Sequence, residues 1–182
     1  MTQNSGEFTP SFYTALTSRL GTTQEKGLMW SMSEYTLEEL NGANAVAANS
    51  LTLKRGQEQF IVPPSYAISE AYVNPTTSWS RVLTDNGTVV GFIRGNFDPE
   101  NTQEELQSCL WRIHISADAQ GKGVGRQAVE ALVNEARSRG SQRLTVLWER
   151  GEDSPEEFFK KVGFVEVGTT AYGEVIAEIR LT

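Results

Sequence analysis

Cysteine and histidine are almost missing from this chain: Cys109 and His114 are the only ones among its 182 residues. A lone thiol excludes an internal disulfide and a multi-thiolate zinc site, and a lone imidazole excludes a His-rich metal centre, so no metal is expected. Long apolar runs are missing too. None approaches the roughly 18 residues of a membrane-spanning helix, and the polar start Met1–Gly6 leads into neither a basic nor an apolar segment. A cytoplasmic protein with no membrane partner is the expectation. Clustered basic residues are also absent: 16 Lys and Arg stand against 23 Asp and Glu, a net charge of -7. Phosphate neutralisation requires a concentrated positive surface, so no nucleic-acid partner is expected, whereas an acidic surface attracts cations.

An apolar content of 38% over this length suffices for one domain, burying roughly 70% of the surface that its unfolded chain exposes. Residues 31–182 are assigned to that domain. Residues 1–30 read as an extension, with one short helix capped by Ser11 and carrying Phe12, Leu16 and Leu20. Tyr35, Leu37 and Leu40 predict a first strand, ended by Asn41-Gly42. From Ala43 to Lys54 a helical stripe (Ala43, Val46, Ala47, Leu51) competes with the alternation of Leu51 and Leu53. After Pro63-Pro64, Ser65 is expected to cap a helix carrying Tyr66, Ile68, Ala71 and Tyr72. The clearest hairpin runs from Trp79 to Gly95 around Asp85-Asn86-Gly87-Thr88, because Asn-Gly between alternating runs selects a primed turn. Strand pairing resumes through Leu106 to Ile115.

The most informative stretch follows that strand. Three alternate glycines, Gly121, Gly123 and Gly125, precede a stripe of Val124, Ala128, Leu132 and Ala136 flanked by Val129 and Val133. Strand, tight loop and helix in this order allow main-chain N–H groups to converge on a diphosphate at the positive end of the helix dipole. A Walker loop is excluded, since Gly121-Lys122 is followed by Gly123 and offers no hydroxyl for magnesium. A dinucleotide fingerprint is excluded as well: the third glycine is one place early and Arg143-Leu-Thr-Val stands where an acid is required. Downstream, Arg143–Trp148 reads as a buried strand, and Pro155–Phe164 as a short helix with proline in its first turn and glycine at its end.

Gln120-Gly121-Lys122-Gly123-Val124-Gly125, with Lys161-Val162-Gly163-Phe164 entering a strand at Val165, resembles the GCN5-related N-acetyltransferases, the GNAT superfamily. The resemblance extends from about Thr88 to Leu181 and more weakly back to Tyr35. Within the superfamily, Leu110-Trp111-Arg112-Ile113, Gly173–Glu178 and Gln57–Pro63 with Ser65-Tyr66 look most like bacterial spermidine/diamine N-acetyltransferases. The implied fold is α/β (α+β): a mixed, mostly antiparallel sheet flanked by helices, with a splayed strand pair forming the acetyl-coenzyme A cleft. It also resolves Ala43–Lys54 in favour of helix.

The implied reaction is direct attack of a primary amine, such as spermidine or a diamine, on acetyl-coenzyme A in a ternary complex. Alternatives are another amine (an aminoglycoside, an amino acid, a protein N-terminus) or a non-catalytic acyl-coenzyme A-binding module. By resemblance the cosubstrate is held by Gln120, Gly121, Lys122, Gly123, Val124, Gly125 and Arg126 and along Ile113, His114 and Ile115, with the Ile113 N–H polarising the thioester. Glu58, Tyr66, Glu70 and Trp111 would meet the amine through charge and aromatic faces. Period-two alternation groups Cys109, Trp111 and Ile113 on one face and Arg112 with His114 on the other, so His114 points away from the reaction. Glu174 is the expected base. Family members often place Asn and Tyr where this chain has Glu152 and Phe159, and Tyr172 is the substitute acid. A homodimer is the family's common assembly.

Overall fold

A computed structural model describes residues 35–181. The helix expected around Phe12, Leu16 and Leu20 lies outside the described residues. Among the described residues seven strands form one sheet in the order β1-β2-β3-β4-β5-β7-β6: β1 Thr36–Glu39, β2 Ser78–Asp85, β3 Thr88–Phe97, β4 Ser108–Ile115, β5 Arg143–Trp148, β6 Val165–Thr169 and β7 Val175–Arg180. Every neighbouring pair is antiparallel except β4 with β5. The mixed, mostly antiparallel sheet flanked by helices is therefore the fold.

The β2–β3 hairpin turns on Asn86 (φ 48°) and Gly87 (φ 81°), both in the left-handed region that a primed turn demands. Helix α1 is one short piece, Ala45–Asn49, less than the Ala43–Lys54 span that the stripe suggested. The connector after it turns once at Gln57–Gln59 before helix α2, Pro64–Val73. Ser65 does not cap α2. Pro64 occupies the first turn, where its missing N–H has no intrahelical duty, and the chain enters from Pro63 at φ -52°, ψ 149°.

Helix α3, Val124–Ser138, buries Val124, Ala128, Val129, Leu132, Val133 and Ala136, the six residues of the expected stripe. They pack on a core supplied by Leu83, Ile93, Phe97, Leu110 and Leu144 from the sheet. Gly95 on β3 allows the close approach, because a Cβ there would overlap Leu132. Helix α4, Glu156–Lys161, follows Pro155 and ends at Gly163 (φ 108°), where the Phe164 N–H reaches back to the Phe159 carbonyl at 3.0 Å. The opposite face carries a second cluster, Ala48, Ala67, Val82 and Phe92, beneath α1 and α2.

Two irregularities of β4 create the site. Arg94 faces Arg112 and Gly95 faces Leu110, which leaves Trp111 as the extra residue of a β-bulge. Pairing with β5 then stops after Cys109–Thr145 and Leu110–Val146, although both strands continue, so β4 and β5 splay apart beyond the bulge.

Candidate active site

At the splay, β4 presents a main-chain edge with no strand partner among the described residues. The Ser116 N–H donates to the Val90 carbonyl and His114 pairs with Phe92, so residues 112, 114 and 116 turn their main chain toward β3. Alternation sends the N–H and C=O of Ile113 and the N–H of Ile115 to the open side. His114 therefore has no main-chain group for a cosubstrate. Its ring is 2% exposed on the α1/α2 face, where Nε2 donates to the Val62 carbonyl at 3.0 Å. Burial lowers its pKa from 6.5 to about 4, opposed by the Val62 bond and helped by Arg112. The expected main-chain role against the cosubstrate is not met, and the lowered pKa makes the buried ring a weak base.

The glycine loop lies beside this edge. Gly121 (φ 80°) and Gly123 (φ 94°) adopt left-handed backbone with open space where a Cβ would stand. Gly123 caps α3, and the N–H groups of Gly121, Gly123, Val124, Gly125 and Arg126 have no acceptor among the described residues. Free amides converging at the start of a 15-residue helix form an anion cradle. Val124 contributes only its amide, since its side chain is fully buried. Lys122 is exposed and free to meet a phosphate, whereas Arg126 donates from Nη2 to the Lys161 carbonyl at 3.2 Å.

Gln120 does not fit its expected role. Its two Nε2 protons go to Gln57 Oε1 (2.8 Å) and the Ile115 carbonyl (3.0 Å), its Oε1 accepts from Gln57 Nε2 (3.1 Å), and its N–H is held by the Ser116 carbonyl. With no donor left for a diphosphate, Gln120 positions the loop and ties it to the α1–α2 connector.

On the acceptor side the bulge overturns the simple alternation. Leu110 joins Ile113 and Ile115 against the α3 core, while Trp111 turns toward α2, on the side of Arg112 and His114. The Trp111 Nε1 proton goes to Glu70 Oε2 at 2.6 Å; the same oxygen receives Arg94 Nη1 at 2.5 Å, and Arg94 Nη2 donates to Ser78 Oγ at 2.9 Å. The guanidinium carbons of Arg94 and Arg112 lie 5.5 Å and 5.0 Å from the Trp111 ring centre. Glu70 and Trp111, both expected at the amine, are thus brought together, but Glu70 is already engaged by a cation. Glu58 and Tyr66 remain exposed on the connector and on α2. Sequence reading missed Arg94 and Arg112, since an arginine within a strand reads as a solvated face.

Glu174 immediately precedes β7, whose first residue Val175 pairs with Trp148 at the end of β5 beside the splay. Its Oε2 accepts from the Thr170 hydroxyl at 3.1 Å. Tyr172 is 90% exposed in the turn between β6 and β7, so the structure does not hold it as an acid in the cleft. Phe159 is 4% exposed, stacked on Trp148 at 5.4 Å and edge-on to Phe164 at 5.7 Å. It is a core ring. Glu152 is exposed in the loop after β5. That loop closes on the connector: a Cβ on Gly151 would stand 3.0 Å from Phe60, and one on Gly56 would stand 2.6 Å from Asp153.

A family model described as "Acetyltransferase (GNAT) family" matches residues 47–164. No curated protein sequence matches the chain. Solved structures similar to it include the ribosomal-protein-S18-alanine N-acetyltransferase from Escherichia coli, 18% identical with a TM-score of 0.59 over 82% of this chain and 95% of that one. An aminoglycoside 6'-N-acetyltransferase complexed with coenzyme A is 15% identical with a TM-score of 0.62 over 81% and 97%. The GNAT domain of PAT from S. lividans is 15% identical with a TM-score of 0.66 over 81% and 90%. At these identities the likeness establishes the fold.

Proposed function

This chain belongs to the acetyltransferase (GNAT) family and transfers acetyl from acetyl-coenzyme A to an amine, and from that premise we propose that its acceptor is a small primary amine bound beside the β4 bulge. The observation that carries the reading is the unpaired edge of Ile113 and Ile115 next to the free amides of Gly121 to Arg126. An extended acyl-pantetheine arm can continue the sheet there, with its diphosphate at the start of α3. There the Ile113 N–H would be the donor available to the thioester carbonyl and to the negative charge that develops on it.

The amine lone pair attacks the thioester carbon, a C–N bond forms, the C–S bond breaks, and coenzyme A leaves as thiolate. The attacking nitrogen must lose a proton, and an alkylamine with a pKa of about 10 is mostly protonated at neutral pH. Glu174 is the carboxylate assigned to that proton. No acid is required at Phe159, because a thiol with a pKa of about 8.5 is a competent leaving group.

A polyamine or diamine is supported by the net charge of -7 and by exposed Glu58. Glu70 no longer supports it. The test is release of coenzyme A thiol from acetyl-coenzyme A with spermidine, putrescine, a lysine peptide and the free amino acids lysine and ornithine. Turnover with at least one amine, reduced in Glu174→Gln, is expected. Acetyl-coenzyme A binding without thiol release across the panel would instead identify a non-catalytic binding module.

A further inference from the structure

The acceptor side of the bulge carries an unmatched positive charge. Arg94 and Arg112 flank the Trp111 ring, and among the described residues Glu70 is the one carboxylate that engages either. Arg112 is half-buried and forms no ion pair among the described residues; the other arginines without one, Arg55, Arg126 and Arg137, are all exposed. Arg112 uses Nη1 on the Trp111 carbonyl at 2.7 Å, while its Nε is buried and has no partner among the described residues. Nε of Arg94 is likewise buried without a partner among the described residues. Burial pulls Arg94 below its ordinary pKa; Glu70 opposes this and Arg112 adds to it, which places the two guanidinium groups within each other's field.

In a chain with 23 acidic residues, leaving a half-buried guanidinium without a carboxylate is unfavourable unless an anion from outside completes it. Arg112 also directly precedes Ile113, whose N–H the proposed reaction assigns to the thioester carbonyl, so an anion on Arg112 would belong to the molecule whose amine attacks. We propose that the acceptor is an amine bearing a carboxylate, an amino acid, and that Arg112 binds this carboxylate while the Trp111–Glu70–Arg94 unit holds Arg112 in place. The inference rests on the acetyl-transfer reading and reverses the charge expected of the acceptor: a diamine places a cation where the site already has one.

Ornithine against putrescine and lysine against cadaverine are pairs that differ by one carboxylate. Thiol release should give kcat/KM at least about tenfold higher for the amino acid of each pair, the discrimination expected when a charge-assisted fork meets its partner in a partly desolvated site. In Arg112→Gln that ratio should collapse, with the loss in KM for the amino acid; Arg112→Lys, which keeps the charge but not the fork, should fall between. Acetyl-coenzyme A binding by both variants verifies that they are folded. Equal or better use of the diamines, or a fall in kcat for both members of a pair at unchanged KM, would overturn the assignment. Calorimetric binding of N-acetylornithine with coenzyme A present separates the two readings. Binding that depends on Arg112, without turnover of any amine, retains the carboxylate site and removes the acetyl transfer. Turnover that ignores the carboxylate, without such binding, does the reverse.

Discussion

Trp111 and Glu70, 41 positions apart, share a hydrogen bond of 2.6 Å from indole nitrogen to carboxylate, and it joins the bulge of β4 to helix α2. The bulge turns the indole toward α2, and the carboxylate fixes the ring on which two arginines stack. The acceptor wall is thereby a tertiary unit, and its parts are expected to fail together.

Glu70→Ala leaves the 3% exposed Arg94 without a counter-charge. Unpairing a buried charge costs about 3–5 kcal/mol, but Glu70 is itself 39% exposed, so solvent screening brings the expected loss to about 1–3 kcal/mol. Glu70→Gln, able to accept from Trp111 without the charge, should lose less. Urea unfolding measures both, and an unchanged midpoint in Glu70→Ala would show that the pair does not couple α2 to the sheet.

Gly123 and Gly140 form a matched pair, at φ 94° and 76°, each with open space where a Cβ would stand. Alanine at either position should cost about 1–2 kcal/mol for left-handed backbone. Only Gly123→Ala turns the amides at the start of α3, so acetyl-coenzyme A affinity should drop about tenfold there, equivalent to one charge-assisted hydrogen bond. Gly140→Ala should bind normally. Equal affinities by calorimetry would move the diphosphate away from this loop.

His114 is buried neutral with a pKa of about 4 against an ordinary 6.5. The unfolded chain binds this proton first as pH falls, so the stability linked to His114 is complete above about 6.5 and declines as pH drops toward 4. The slope reaches up to about 1.4 kcal/mol per pH unit inside that window. His114→Gln should flatten the decline relative to the parent in urea melts at pH 7, 5.5 and 4.5. A kcat/KM profile with an inflection near 6.5 that vanishes in this variant would return His114 to the reaction.

Cys109 is 1% exposed and burial pushes its thiol up to about 12, against the pull of Arg94 and Arg112. The native protein should be inert to a disulfide reagent at pH 8, and one thiol per chain should appear on unfolding. Rapid reaction of the native protein would show that β4 opens at the bulge.

Local chemistry made the scaffold legible. The α3 stripe, the Asn86-Gly87 turn and the helix between Pro155 and Gly163 each depend on residues within a few positions of one another, and all three formed as read. The glycine loop was legible for the same reason, since left-handed φ and free amides are properties of the segment itself. What lay beyond the sequence was every contact set by strand register. Alternation could not foresee that Trp111 would be inserted as an extra residue opposite Gly95 and turned toward Glu70, because a bulge arises from the fit of β4 to β3 and of α3 to both. The same holds for Gln120, whose amide protons are taken by Gln57 from 63 positions away and by the Ile115 carbonyl. Turns and helices are decided by backbone preferences within a few residues; an active-site wall is decided by which distant side chains packing leaves without water.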